Sequence, residues 1–212
     1  MAGGREWPYR FHSFDPAGTA LLVIDLQHAF LDADYVTRVP GATDIAPSIC
    51  KLAGALRTSG GRVVFTRHTV ADEGPLAPPS WQRGSGFEAA AKGLRAGSKG
   101  HDIHPSLAPH PQDIVFDKYR YSALVPCSSS LDRWLRDRGI ETVIITGVLT
   151  NVCCESTARD AHMMGYRVFF IADATATMTD PEHNATLRTM GGYFADVRSA
   201  ASMIELIGAS AR

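Results

Sequence analysis

The sequence predicts a three-layer α/β sandwich of the Rossmann-like class, with helices on both faces of a mostly parallel sheet of about six strands. Three observations carry this. Short β-branched and aromatic apolar runs, of the kind buried on both faces, alternate with segments of helical spacing. Glycine, proline and small polar residues mark the joins. The chain has 212 residues, 45% hydrophobic and 20% charged, which fits one domain over residues 1–212 with a full core and no need of staples.

The elements follow in order. Ala20–Asp25 (ALLVID) reads as a buried strand ending in an acid. Residues 44–59 place Ile45, Ile49, Leu52, Ala53 and Leu56 at helical spacing, and Gly60-Gly61 stops them. Arg62–Thr66 is the second strand. Residues 70–112 are rich in Gly, Pro and Ser and carry at most one short helix. A loop region that long is functional or part of an interface. Asp113–Phe116 is the third strand, ending just before Lys118. Ser129–Arg138 is helical, with Leu131, Trp134 and Leu135 inward. Val143–Ile145 is the fourth strand, and Gly147 breaks it. Thr150 or Asn151 caps a helix that runs to Gly165. Arg167–Ile171 is the fifth strand. Pro181 opens a helix over 181–194, and a short strand near Asp196–Val197 precedes a last helix over 200–208.

The bulk properties exclude several functions. A net charge of −1 points to neither nucleic acid nor an anionic membrane. No apolar run approaches the roughly 18–20 residues that span a bilayer. The opening MAGGREWPYRFHSFDPAG has no apolar segment of the signal-peptide kind. Cys50, Cys127, Cys153 and Cys154 are too few and too scattered for a disulfide framework, so free thiols in a reducing cytoplasm are expected.

In parallel α/β sheets the site lies beyond the carboxyl ends of the strands. Asp25 ends the first strand, Lys118 follows the third and Cys153 follows the fourth. Each has an ordinary role: an Asp caps turns, a Lys is solvated, a Cys is a small buried hydrophobe. Their joint placement singles them out. A thiol in the first turn of a helix faces unpaired N–H groups and the positive dipole end, which favour thiolate. From Cys154 the face at i+3, i+4 and i+7 holds Thr157, Ala158 and Ala161, small residues suited to packing on a sheet. Cys153 is rotated about 100° from it.

Three segments, LLVIDLQHAF, FDKYRYSAL and GVLTNVCCESTARDA, resemble the isochorismatase-like cysteine hydrolases, a family with nicotinamidases, N-carbamoylsarcosine amidohydrolases and ureidoacrylate or biuret hydrolases. The resemblance runs from about Ala20 to the final helix and is closest to the carbamoyl- and ureido-amide hydrolases. It implies the isochorismatase-like hydrolase fold and a Cys-Asp-Lys triad of Cys153, Asp25 and Lys118. It implies cleavage of the C–N bond of a small amide, carbamoyl or ureido compound through a thioester, with release of ammonia. It further implies an oxyanion hole from the N–H groups of Leu149 and Cys153, a cis Val148–Leu149 peptide, and a homodimer or homotetramer.

The Asp-x-His metal motif of the nicotinamidases is absent: the position reads FTRHTVADE, with His68 alone. No metal and no cofactor is expected, and His101, His104 and His110 read as loop residues. Candidate substrate groups are Gln27, Arg67, His68, Trp81, Tyr119, Tyr121 and Leu149. Four have a structural alternative: core or subunit packing for Trp81 and Tyr121, an ion pair for Arg67, backbone bonding for Gln27. Three other functions stay open: a vinyl-ether hydrolase of the isochorismatase type, a non-catalytic scaffold or carrier-partner domain, and a redox protein with a Cys153–Cys154 disulfide. Adjacent cysteines strain such a bond.

Overall fold

The computed structural model describes residues 8–107 and 109–211. Six strands form one sheet: β1 Thr19–Ile24, β2 Arg62–His68, β3 Ile114–Lys118, β4 Thr142–Val148, β5 Arg167–Ala176 and β6 Asp196–Arg198, in the order β3-β2-β1-β4-β5-β6. Every pairing is parallel. The expected sheet was mostly parallel; the observed one is wholly so.

Alternation within the central strands builds the two hydrophobic layers. On β1, Leu21 and Val23 point to one face, with Ile49, Leu52 and Leu56 of α2 (Ala46–Thr58) and Met203 and Ile207 of α7 (Ala200–Ser210). Ala20, Leu22 and Ile24 point to the other, with Leu131 and Leu135 of α4 (Leu131–Arg136) and Ala158 and Ala161 of α5 (Glu155–Met163). β4 and β5 split the same way, with Ile144 and Phe169 on the first face and Ile145 and Phe170 on the second. A short helix α1 (His28–Leu31) follows β1, α3 (Phe87–Lys92) lies in the long loop, and α6 (Asp180–Thr189) precedes β6.

Three expectations change. Gly147 does not break β4, which continues through Val148. Its φ of +109° sits at a register shift against β5, and any Cβ there would run into the Ile24 carbonyl oxygen, so only glycine lets β4 lie against the end of β1. Neither Thr150 nor Asn151 caps the cysteine helix. That segment begins as a π-helical turn over Thr150–Cys154 before α5, Thr150 Oγ1 pairs with His183 Nδ1 at 3.0 Å, and Asn151 Oδ1 accepts from Thr177 at 2.5 Å. The helix expected over 181–194 is α6, capped by the Thr179 hydroxyl, followed by a second π-helical turn over Met190–Phe194.

Candidate active site

The strand order reverses direction between β1 and β4, and the crevice outside their carboxyl ends is where a ligand is expected in such sheets. Asp25 is the first residue beyond β1. Its φ of +54° is left-handed, which Asp tolerates better than most residues. Its N–H still pairs with the Thr66 carbonyl at 3.2 Å, and Gln27 N–H donates to its carbonyl at 2.8 Å, so the chain turns sharply at the sheet edge. Lys118 is the last residue of β3, two strands away, and Cys153 lies in the π-helical turn after β4.

These three side chains converge. The carboxylate of Asp25 and the ammonium of Lys118, both 0% exposed, stand 2.8 Å apart. The ammonium also contacts His68 Nδ1 at 3.2 Å and donates to the Arg120 carbonyl at 3.0 Å. Asp25 Oδ1 accepts from the Thr66 hydroxyl at 2.8 Å. Oδ2 forms the ion pair with Lys118, but its alignment falls short of a hydrogen bond, so it keeps a free lone pair. A carboxylate oxygen of Asp25, a ring nitrogen of His68 and Cys153 Sγ all lie within 4.8 Å of one another.

The electrostatics differ from the expected thiolate. Burial, and after it the Asp25 carboxylate, pushes the Cys153 thiol up to about 12, although Lys118 pulls it down. The thiol is 3% exposed, and desolvation outweighs the helix terminus. At rest Cys153 is a neutral thiol that needs a base. Burial pulls the Lys118 ammonium down, but Asp25 and Cys153 beside it raise its pKa overall. His68 is held well below its ordinary value by burial and by Lys118, so its ring is neutral and Nδ1 accepts from Lys118.

Cys153 opens onto a cavity of about 220 Å³. Its walls are Phe30, Val70, Phe87, Leu94, Leu149 and Val152, with His68 and Tyr121 also lining it. A neighbouring cleft of about 130 Å³ shares His68 and Tyr121 and adds Tyr119 and Arg120. Larger surface clefts, of about 280 and 400 Å³, lie elsewhere and touch neither Asp25, Lys118 nor Cys153.

The chain matches the Isochorismatase domain over residues 19–202. It is 32% identical to the ureidoacrylate amidohydrolase RutB of Methylobacterium radiotolerans, over 94% of this chain and 83% of that protein. The RutB of Variovorax paradoxus is 34% identical, over 81% of this chain and 72% of that one. The chain belongs to the isochorismatase-like cysteine hydrolase family. A crystal structure of a cysteine hydrolase from Pseudomonas syringae pv. phaseolicola superposes with a TM-score of 0.86 at 28% identity, over 99% of this chain and 100% of that one. The N-carbamoylsarcosine amidase of Thermoplasma acidophilum gives 0.70 at 25% identity, over 86% and 96%. These likenesses fit the isochorismatase-like hydrolase fold derived above.

Within this family frame, the other residues singled out from sequence separate into two groups. His68, Tyr121 and Leu149 line the Cys153 cavity, and Tyr119 lines the adjoining cleft. The peptide between Val148 and Leu149 is cis. Gln27, Arg67 and Trp81 do not line either space. Gln27 is fully buried and clamps the backbone: its Oε1 accepts from His68 N–H at 2.7 Å, and its Nε2 donates to the carbonyls of His68 and His101 at 3.2 and 3.0 Å. Arg67 pairs with Asp117 at 2.7 Å, directly across the β2–β3 ladder. Trp81 is 78% exposed on a 3-10 turn.

Sequence reasoning missed Thr66, although a polar residue at the end of a buried strand is the same signal that selects Asp25. His101 and His104 lie in the long loop between β2 and β3, and both make side-chain contacts there. His101 is buried, with Nε2 at 2.8 Å from the Thr69 hydroxyl. His104 stands 3.4 Å from Asp32, which also pairs with His28 at 2.7 Å, and among the described residues this trio has donor atoms close enough to share a cation. The Asp25, His68 and Cys153 donors are also close enough, but the Lys118 ammonium already supplies their positive charge. No helix among the described residues is long and apolar enough to cross a membrane.

Proposed function

We propose that the chain is a cysteine-dependent amidohydrolase that cleaves the C–N bond of a small amide, carbamoyl or ureido compound and releases ammonia. One observation carries this reading: the Cys153 thiol stands beside the buried Asp25–Lys118 ion pair and lines a cavity. The relatives named for ureidoacrylate and the structural neighbour named for N-carbamoylsarcosine support the same bond class.

The placement of these groups supports the following steps. Asp25 takes the thiol proton as sulfur attacks the carbonyl carbon. The N–H groups of Leu149 and Cys153 receive the developing oxyanion. The C–N bond breaks, Asp25 returns its proton to the leaving nitrogen, and ammonia departs from a thioester. Asp25 then draws a proton from water, whose oxygen attacks the thioester; the C–S bond breaks and sulfur recovers the proton. Lys118 stays charged throughout and keeps the carboxylate in place. Thr66 orients the carboxylate through Oδ1, leaving Oδ2 for the proton. The homo-oligomer and the cytoplasmic setting belong to the same proposal, and sedimentation velocity reads the former.

The test is an ammonia-release screen over small primary amides, N-carbamoyl amino acids, ureidoacrylate, biuret and nicotinamide, with Cys153→Ala as the blank. Ammonia from at least one compound, lost in Cys153→Ala, is expected. No ammonia from any, with isochorismate cleaved instead, refutes it.

A further inference from the structure

On the amide-hydrolase reading above, we infer that this site selects uncharged carboxamides with an apolar aryl or branched-alkyl body and rejects acids such as ureido carboxylates. The cavity at Cys153 carries the inference. Among the described residues its lining holds no Lys, Arg, Asp or Glu. Phe30, Val70, Phe87, Leu94, Leu149 and Val152 form its walls, and the Thr37 hydroxyl, which also borders it, already donates to the Ala29 carbonyl. His68 and Tyr121 stack at 6.0 Å with 21° between their planes, a flat wall that suits a planar group. An apolar cavity of about 150 Å³ holds benzene, so about 220 Å³ accommodates a ring with its carboxamide.

The charges next to the thiol are already matched. Asp25 and Lys118 neutralise each other next to the thiol, and Arg67 is held by Asp117. A carboxylate on the substrate body would leave water for apolar walls with no counter-ion, which costs heavily. The cation nearest to an exception is Arg120, in the adjoining cleft. Its NH1 donates to the carbonyls of Leu76 and Tyr119 at 2.8 and 2.7 Å, and its NH2 to that of Pro75 at 3.2 Å. Arg120 thus ties the 75–76 loop to the end of β3 and lines the adjoining cleft rather than the Cys153 cavity.

The experiment compares kcat/KM for ammonia release by the full chain. Benzamide and 3-methylbutanamide are set against succinamate, 3-ureidopropanoate and ureidoacrylate. The neutral compounds are expected to lead by about a hundredfold or more. Acids turned over as well or better, with that turnover lost in Arg120→Met, overturn the inference while leaving the amide-hydrolase reading intact. Ammonia from none of them, nor from the wider panel above, with isochorismate cleaved instead, refutes the amide-hydrolase reading, and the cavity is then read independently. Iodoacetamide and iodoacetate each form a C–S bond at Cys153 as iodide leaves and the thiol proton passes to the carboxylate or solvent. Peptide mapping gives their rate ratio at Cys153, with the exposed Cys127 as internal reference. A ratio at Cys153 about tenfold or more in favour of the amide, beyond that at Cys127, supports the inference. Equal ratios, or faster reaction with the acid, overturn it.

Discussion

Replacing Asp25 by Asn separates the base from the ion pair. The substitution keeps the shape, and the amide oxygen can still accept from Thr66. It removes the proton acceptor and one charge of a fully buried pair at 2.8 Å, worth roughly 6 kcal/mol of Coulomb attraction at an effective dielectric of about 20. Lys118 would then be a buried ammonium without a carboxylate, a situation that costs about 3–5 kcal/mol unless another anion replaces it. Cys153 is that anion. Its thiol is raised by burial first and by Asp25 next, while Lys118 lowers it; deleting Asp25 removes an upward influence and leaves the downward one. The thiol pKa therefore falls from about 12, and the fraction of Cys153 ionised against Lys118 rises.

Two readouts then move in opposite directions. Turnover falls by about 10²–10⁴-fold, because no group remains to take, return and retake the proton. Alkylation of Cys153 by iodoacetamide accelerates, because more sulfur is ionised at neutral pH. Steady-state ammonia release measures the first, and peptide mapping over time measures the second. The ultraviolet absorbance of the thiolate gives its pKa directly. Turnover within about tenfold of the parent would refute Asp25 as base. Lost turnover together with slower alkylation would refute the electrostatic account.

The other predictions are shorter. Because the thiol is held near 12, activity in the parent protein shows no rise between about pH 7 and 9 of the kind a free cysteine gives, and a pH–rate profile checks this. Thr66→Val removes the hydroxyl that donates to Asp25 Oδ1, lowering stability by about 1.5–3 kcal/mol in urea denaturation and reducing kcat. Gly147→Ala places a methyl group against the Ile24 carbonyl at a left-handed φ and lowers stability by more than about 2 kcal/mol, read in the same assay. His68 is half-buried and neutral with its pKa depressed, so the unfolded chain binds more protons below about pH 6.5 and stability falls as the pH drops through that range. His68→Gln flattens the slope of unfolding free energy against pH by up to about one proton.

The fold was legible because its signals are local. The runs at β1 and β4 announce strands buried on both faces, and the spacing in 44–59 announces α2 with no reference to anything distant. The meeting of Asp25, Lys118 and Cys153 was legible for a topological reason: each sits at the carboxyl end of a parallel strand. The π-helical turn at Thr150–Cys154 was not, since it differs from an α-helical start by one residue per turn and leaves the same apolar pattern. Arg67 and Gln27 illustrate a second limit. Whether a polar side chain is free depends on its cross-strand neighbour, and Arg67 faces Asp117 only once the β2–β3 register is known. Gln27 likewise owes its bonds to His68 and His101, brought in from β2 and from the long loop.

The same contrast divides the site into two layers with different origins. Asp25, Thr66, Lys118 and the start of the cysteine turn lie on or just beyond four neighbouring strands of one sheet, so their spacing is fixed by sheet register and by the glycine that lets β4 lie against β1. The walls of the cavity come from α1, from Val70 beyond β2, from α3 and its flank, and from the 149–152 segment. Loops vary more readily than strands and commonly carry specificity on a rigid scaffold. Bond chemistry and substrate choice in this chain therefore rest on separate elements. A likeness that spans the sheet speaks for the first. The second has to be read from the side chains that line the cavity at Cys153, and among the described residues those are mostly apolar and include no carboxylate, Lys or Arg.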